Sequence, residues 1–141
     1  MKYAAAVIDT NVVVAGLLTG DAGSPSARIL DGMGKGAFPF LLSTALLAEY
    51  RQVLLRPKVR AVHGLSERDV DALLTAMARN AIVREPVVRA VGPDPKDHHL
   101  WALVQSGGAN VLVTGDLALA ENPPPPANVL RPRAFVDLLA T

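Results

Sequence analysis

Two features of the chain predict an α/β fold with a mostly parallel, helix-covered sheet. Short apolar runs of about five residues, readable as buried strands, alternate with stretches of helical periodicity. Several of the helical stretches are long enough to serve as the right-handed crossovers that parallel strands require.

The first run, residues 4–8 (AAAVI), reads as a strand that breaks at Asp9-Thr10-Asn11. Residues 12–18 and 26–33 read as helices separated by the turn-forming GDAGSPS. Residues 38–42 form the second apolar run, and Ser43 caps a helix, STALLAEYRQVLLR, that stops at Pro57. Ser66-Glu67-Arg68-Asp69 has the pattern of a capping box, opening a helix with Val70, Leu73, Leu74 and Met77 on one face. Residues 81–83 read as a third strand, and Asp94-Pro95 opens a helix that runs to about Gln105 and ends at Gly107-Gly108. Residues 110–114 are a fourth buried strand, 117–121 a short helix, 128–130 a fifth strand and 132–139 a last helix with Pro132 near its start.

The 141 residues read as one domain, 1–141, long enough to bury a sizeable core. Half are apolar and 19% are charged, the balance of a globular chain rather than a disordered one. The net charge of +1 excludes a strongly basic coat but not a local basic patch, and the cations are mostly arginine, which suits bidentate phosphate contacts. With no cysteine there is no disulfide, thiolate metal site or cysteine nucleophile. Asp9 and Asn11 interrupt the apolar N-terminus too early for a signal segment, and no stretch reaches the ~18 to 20 apolar residues of a membrane span. The expectation is a cytoplasmic protein with no membrane attachment.

In open α/β sheets ligands sit beyond the carboxyl ends of the strands. Four of the 13 acidic residues fall just after a strand, on that side. Asp9 follows the first strand and Asp116 leaves the fourth through NVLVTG. Glu49 lies on the apolar stripe of its helix between Leu46 and Val53, and Asp97 shares a face with Leu100, Trp101 and Val104. Each also has a plain structural use. Asp9-Thr10-Asn11 can be an Asx-type turn with a helix cap, TGD a strand-end turn, and Glu49 a snorkelling edge residue. Asp94 and Asp97 can be helix-start devices, with Asp94 the better cap.

Taken together, crowded carboxylates repel and need a counter-charge, yet Arg51 and Lys96, the nearest cations in sequence, read as pointing away. Hard oxygen ligands without cysteine favour Mg²⁺ or Mn²⁺. A carboxylate-held pair of such ions suits phosphodiester hydrolysis, one activating water and the other stabilising the leaving oxygen.

Asp9-Thr10-Asn11, Ser43 with Glu49 six residues on, Asp97 within DPKDHHLWAL, and Thr114-Gly115-Asp116 after GGANVLV together resemble the PIN domain. The closest resemblance is to the bacterial and archaeal toxins of toxin–antitoxin systems related to VapC-type ribonucleases, and it runs over residues 3–138. It implies a Rossmann-like three-layer α/β/α sandwich and a Mg²⁺- or Mn²⁺-dependent endoribonuclease. Asp9 and Asp97 would be the principal metal ligands, with Glu49 and Asp116 serving a second metal or acting through water. Asn11, Ser43 and Thr114 would orient these groups. Cleavage would leave a 5′-phosphate and a 3′-hydroxyl, and the protein would form a homodimer held inactive by a cognate antitoxin.

Arg51, Arg56, Lys58 and Arg60 make a positive segment at the end of the Glu49 helix, readable as RNA contacts or as ordinary helix C-terminal cations. The adjacent His98 and His99 cannot share one helix face, so each reads as a solvated side chain or an RNA contact. Trp101, Phe38 and Phe40 read as core, and Pro123 to Pro126 as a stiff connector. Two other functions fit part of the pattern. A different phosphate-processing α/β domain also places an aspartate after its first strand, but it lacks here a DxD arrangement and a late lysine. A non-catalytic RNA- or protein-binding scaffold gains nothing from four crowded carboxylates.

Overall fold

The computed structural model describes residues 3–90, 92–121, 123 and 128–140. In chain order the elements are β1 (Ala5–Ile8), α1 (Thr10–Leu18), α2 (Pro25–Lys35), β2 (Leu41–Leu42), α3 (Thr44–Leu54), α4 (Pro57–His63) and α5 (Glu67–Asn80). They continue with β3 (Ile82–Val83), a 3₁₀ turn at Pro95–Asp97, α6 (His98–Val104), β4 (Asn110–Val113), α7 (Leu117–Glu121), β5 (Asn128–Leu130) and α8 (Pro132–Leu139).

Every strand pairing is parallel. β4 lies between β1 and β5, with Ile8 beside Val113 and Val113 beside Leu130. β2 pairs with β3, and a single bridge between Ala6 and Phe40 joins this pair to β1. The strand sequence across the molecule is therefore β3-β2-β1-β4-β5, with β1 central. All residues of β1 and β4 are buried. Since neighbouring residues face opposite sides of a strand, both faces of the sheet are covered, as an α/β fold requires.

The β2 run is shorter than its apolar sequence suggests. Pro39 has no N–H for a ladder and only accepts, from the Ala6 N–H at 3.1 Å. Pro57 does not simply end a helix. α3 stops at Leu54 and Pro57 opens α4, where a missing N–H costs nothing, until Gly64 ends it in the left-handed region. The Asp94-Pro95 helix begins with the 3₁₀ turn, and α6 is correspondingly short. α1 starts at Thr10 rather than at residue 12 because Asp9 caps it.

The capping box on α5 is formed, with Ser66 accepting from Asp69 N–H and Asp69 accepting from Ser66 N–H. Trp101, Phe38 and Phe40 are core residues, and Phe38 meets Phe135 edge-on at 5.1 Å between ring centres. No described helix is long and apolar enough to cross a membrane. Of the proline stretch only Pro123 is described, so the expected connector at Pro124–Pro126 lies outside the described residues.

The loop leading to β4 is tightly fixed, and it sets where that strand begins. Gly107 and Gly108 take positive φ, open to glycine without strain. Asn110 donates to the carbonyls of Val104, Ser106 and Gly107 at 3.0–3.1 Å, and Arg84 also donates to the Ser106 and Gly107 carbonyls.

Candidate active site

β1 and β4 run parallel, so Asp9 and Thr114 emerge side by side. The Thr114 hydroxyl, fully buried, donates to Asp9 Oδ2 at 2.7 Å. Asn11 Nδ2 reaches the same oxygen at 3.1 Å, and Thr10 N–H donates to Oδ1 at 2.8 Å. Asn11 is itself held, its Oδ1 accepting from Gly115 N–H at 2.9 Å; a Cβ on residue 115 would sit 3.3 Å from that oxygen. An ionised carboxylate has about four acceptor positions. Three donors therefore leave Asp9 about one open direction, on Oδ1.

Burial raises the Asp9 pKa above its ordinary value. The Thr114 and Thr10 hydrogen bonds pull the other way, while the charges of Glu49 and Asp97 add to the rise.

Glu49, half-buried on α3, is reached from two sides. The Thr10 hydroxyl donates to its Oε2, and His99 Nε2 lies 3.3 Å from its Oε1. The His99 contact lowers its pKa most, against desolvation, with Thr10 and the charge of Arg56 assisting. Asp97 makes no side-chain capping bond to α6; the 3₁₀ turn before it is capped by Asp94, whose Oδ1 accepts from Lys96 N–H at 3.0 Å. The Asp97 pKa is raised by burial first, then by Asp94, Asp116 and Glu49, with His99 opposing. Asp116 is exposed. Its N–H donates to Thr114 Oγ1 at 3.0 Å and its Oδ1 caps α7 through Ala118 N–H at 2.9 Å.

The four carboxylates thus share one edge of the sheet, where the charges of Glu49 and Asp97 act on Asp9 and those of Asp116 and Glu49 act on Asp97. Several expectations change in detail. Ser43 does not touch Glu49: its hydroxyl accepts from Leu46 N–H and fixes the start of α3, so its influence on Glu49 runs through the helix. The Arg51 guanidinium is engaged by Glu67 and Asp71. Lys58 and Arg60 are exposed on α4. Lys96 does not point away, for with Arg56 it lines a cleft beside Glu49. His99 is partly buried, with Nε2 turned to Glu49 Oε1 and Nδ1 buried, rather than fully solvated.

Sequence reasoning also missed Thr10 and Tyr50. Thr10 opens α1 beside Asp9, yet nothing local shows that its hydroxyl reaches a glutamate 39 residues away. Tyr50, fully buried, donates its hydroxyl to the Ile8 carbonyl and locks α3 onto the end of β1. Its place next to Glu49 was the only signal in the sequence.

The donor chemistry, all carboxylate oxygen with an unrelieved charge at Asp9 and Asp97, fits a hard divalent cation. The side chains stand short of convergence: among the described residues no three acidic or histidine groups are close enough to hold one ion together.

A parallel sheet with carboxylates collected beyond its strand ends defines a class of α/β domains whose ligands bind at that edge. Within that class, the family model of the PIN domain matches residues 5–118, a span that includes Asp9, Glu49, Asp97 and Asp116, and the chain belongs to this family. PIN domains are generally nucleases that use divalent metal ions. No curated protein matches the chain.

Proposed function

We propose that this PIN domain is a Mg²⁺- or Mn²⁺-dependent endoribonuclease, acting in the cytoplasm as the toxin of a toxin–antitoxin pair. One observation carries the nuclease reading. Asp9 is buried with its pKa raised by burial and by its carboxylate neighbours, and the partners that hold it are neutral. A fold does not retain such a charge for stability, since burial without a counter-ion is costly.

In this reading Asp9 and Asp97 are the principal ligands, and Glu49 and Asp116 complete the acidic set. Divalent ions held by these carboxylates would supply Lewis acidity towards a water and towards the leaving oxygen. The chain's own residues do the positioning. Thr114 and Asn11 fix Asp9, Thr10 and His99 fix Glu49, and the Gly115 N–H keeps Asn11 in place. The RNA substrate, the homodimer and the inhibiting antitoxin rest on the resemblance to VapC-type ribonucleases.

A second reading, a PIN scaffold that binds RNA without cutting it, is favoured by the lack of convergence among the acidic groups and by the engagement of Asp116 with α7. Incubating the protein and its Asp9→Asn and Asp97→Asn variants with RNA and Mn²⁺, Mg²⁺ or EDTA separates the two. The nuclease reading expects cleavage with metal that falls about 10³-fold in either variant, roughly 4 kcal/mol of transition-state stabilisation. Cleavage in EDTA, or cleavage indifferent to both substitutions, overturns it. Binding without cleavage selects the scaffold. Growth arrest on expression, relieved by the product of a neighbouring reading frame, tests the toxin assignment.

A further inference from the structure

Resting on the nuclease reading, we infer that the cleft between α3 and the 3₁₀ turn before α6 seats the backbone of a single RNA strand next to the carboxylates, with Arg56 and Lys96 as its phosphate contacts. The cleft has a volume of about 570 Å³, and Thr10, Glu49, Arg56, Lys96 and His99 stand on its walls. Ala45, Ala48 and Val53 add a small apolar surface to its lining. That volume is in the range of a small-ligand site. Duplex RNA is instead held across broad surfaces spanning successive grooves, so the shape selects a single strand.

Charge decides the occupant. A polyanion approaching four carboxylates is repelled unless a cationic wall lies along its path. Arg56 and Lys96 supply that wall. Both are exposed, and among the described residues neither forms an ion pair. Arg51, earlier on the same segment, is by contrast spent on Glu67 and Asp71. Lys58 and Arg60 carry the same charge on α4 without lining the cleft. Among the described residues no Phe, Tyr or Trp lines it either, so the grip falls on the backbone and not on stacked bases.

The test is binding of a single-stranded RNA oligonucleotide in EDTA over a series of salt concentrations, with cleavage in Mn²⁺ measured separately. The Arg56→Ala/Lys96→Ala variant is expected to bind about tenfold more weakly near 0.1 M salt. Its log–log salt slope should flatten by about 1.4, at about 0.7 per phosphate contact on a single strand. Lys58→Ala/Arg60→Ala should stay within about twofold of the parent, and single-stranded DNA should show the same loss as RNA because phosphate is what is gripped. Unchanged affinity and slope in Arg56→Ala/Lys96→Ala, an equal loss in Lys58→Ala/Arg60→Ala, a loss confined to RNA, or duplex bound as well as single strand each overturn the assignment. Mn²⁺-dependent cleavage with binding untouched by the Arg56 and Lys96 changes sinks the cleft and leaves the nuclease. Binding lost in that variant, in a protein that never cleaves, does the reverse.

Discussion

The carboxylate site has two unlike halves. Asp9 sits at the end of the central strand, buried, with three donors from Thr10, Asn11 and Thr114 fixing both its oxygens. Glu49 and Asp97 ride on α3 and on a 3₁₀ turn, are only partly buried, and are held by one hydroxyl and one imidazole or, for Asp97, by no cap. One half is an anchor whose geometry the sheet imposes. The other can adjust, which accounts for side chains that share an edge without yet converging. A site of this kind is organised around its anchor and completed by what binds.

The largest effect that separates the halves should come from removing the two threonine hydroxyls in turn. Thr114→Val leaves Asp9 Oδ2 short of a donor and the Asp116 N–H without its acceptor. It should cost about 1–3 kcal/mol of stability and 10- to 100-fold in metal affinity or cleavage, as loss of a residue supporting a ligand does. Thr10→Val strips only one support from the half-exposed Glu49 and should cost roughly tenfold or less in metal affinity, with little change in thermal stability. Mn²⁺ titration calorimetry and melting curves measure both. Equal losses would erase the distinction between anchor and adjustable arm.

How much of this contrast is legible in the sequence depends on the range of each contact. Asp9 and Asp116 were legible because a polar break after a buried strand is a local pattern, and the parallel order of strands follows from alternation with helices. Glu49 and Asp97 were legible as places on apolar faces. Their partners were not, since Thr10 meets Glu49 across 39 residues and His99 meets it across 50. The α4 helix was hidden by reading Pro57 as a terminator, although proline is equally at home in a first turn. The short β2 reflects Pro39, whose effect on a ladder depends on which neighbour it faces.

A smaller effect concerns stability against pH without metal. The Asp97 pKa is raised in the folded chain, so its favourable share is present below the unfolded carboxylate value near 4 and lost as pH rises through the folded value. Metal-free Asp97→Asn should therefore melt higher than the parent at pH 7, by about 2–5 °C because solvent screens a half-exposed group, and the gap should close below about pH 4. Glu49 has the opposite sign. Its pKa is lowered, so its share is present above about pH 4.3 and lost as pH falls through the folded value. Glu49→Gln should melt lower at pH 7, converging with the parent in acid. Mn²⁺ should then raise the melting temperature of the parent more than that of either variant.

The smallest effect is expected at Arg51, and it sharpens the comparison from outside the site. By sequence Arg51 heads the same basic segment as Arg56, Lys58 and Arg60, and all four invite the same reading as RNA contacts. In the folded chain its guanidinium is bound to Glu67 and Asp71, and those partners raise its pKa beyond its already high value. A cation neutralised by two carboxylates has nothing left for a phosphate, and an exposed network of this kind contributes little to stability. Arg51→Ala should accordingly keep RNA affinity, salt slope and cleavage within about twofold of the parent, with a melting temperature lowered by no more than about 2 °C. A flattened salt slope in this variant would mean that RNA displaces Glu67 and Asp71 from Arg51, and that the basic segment acts as a unit instead of being divided between cleft and scaffold.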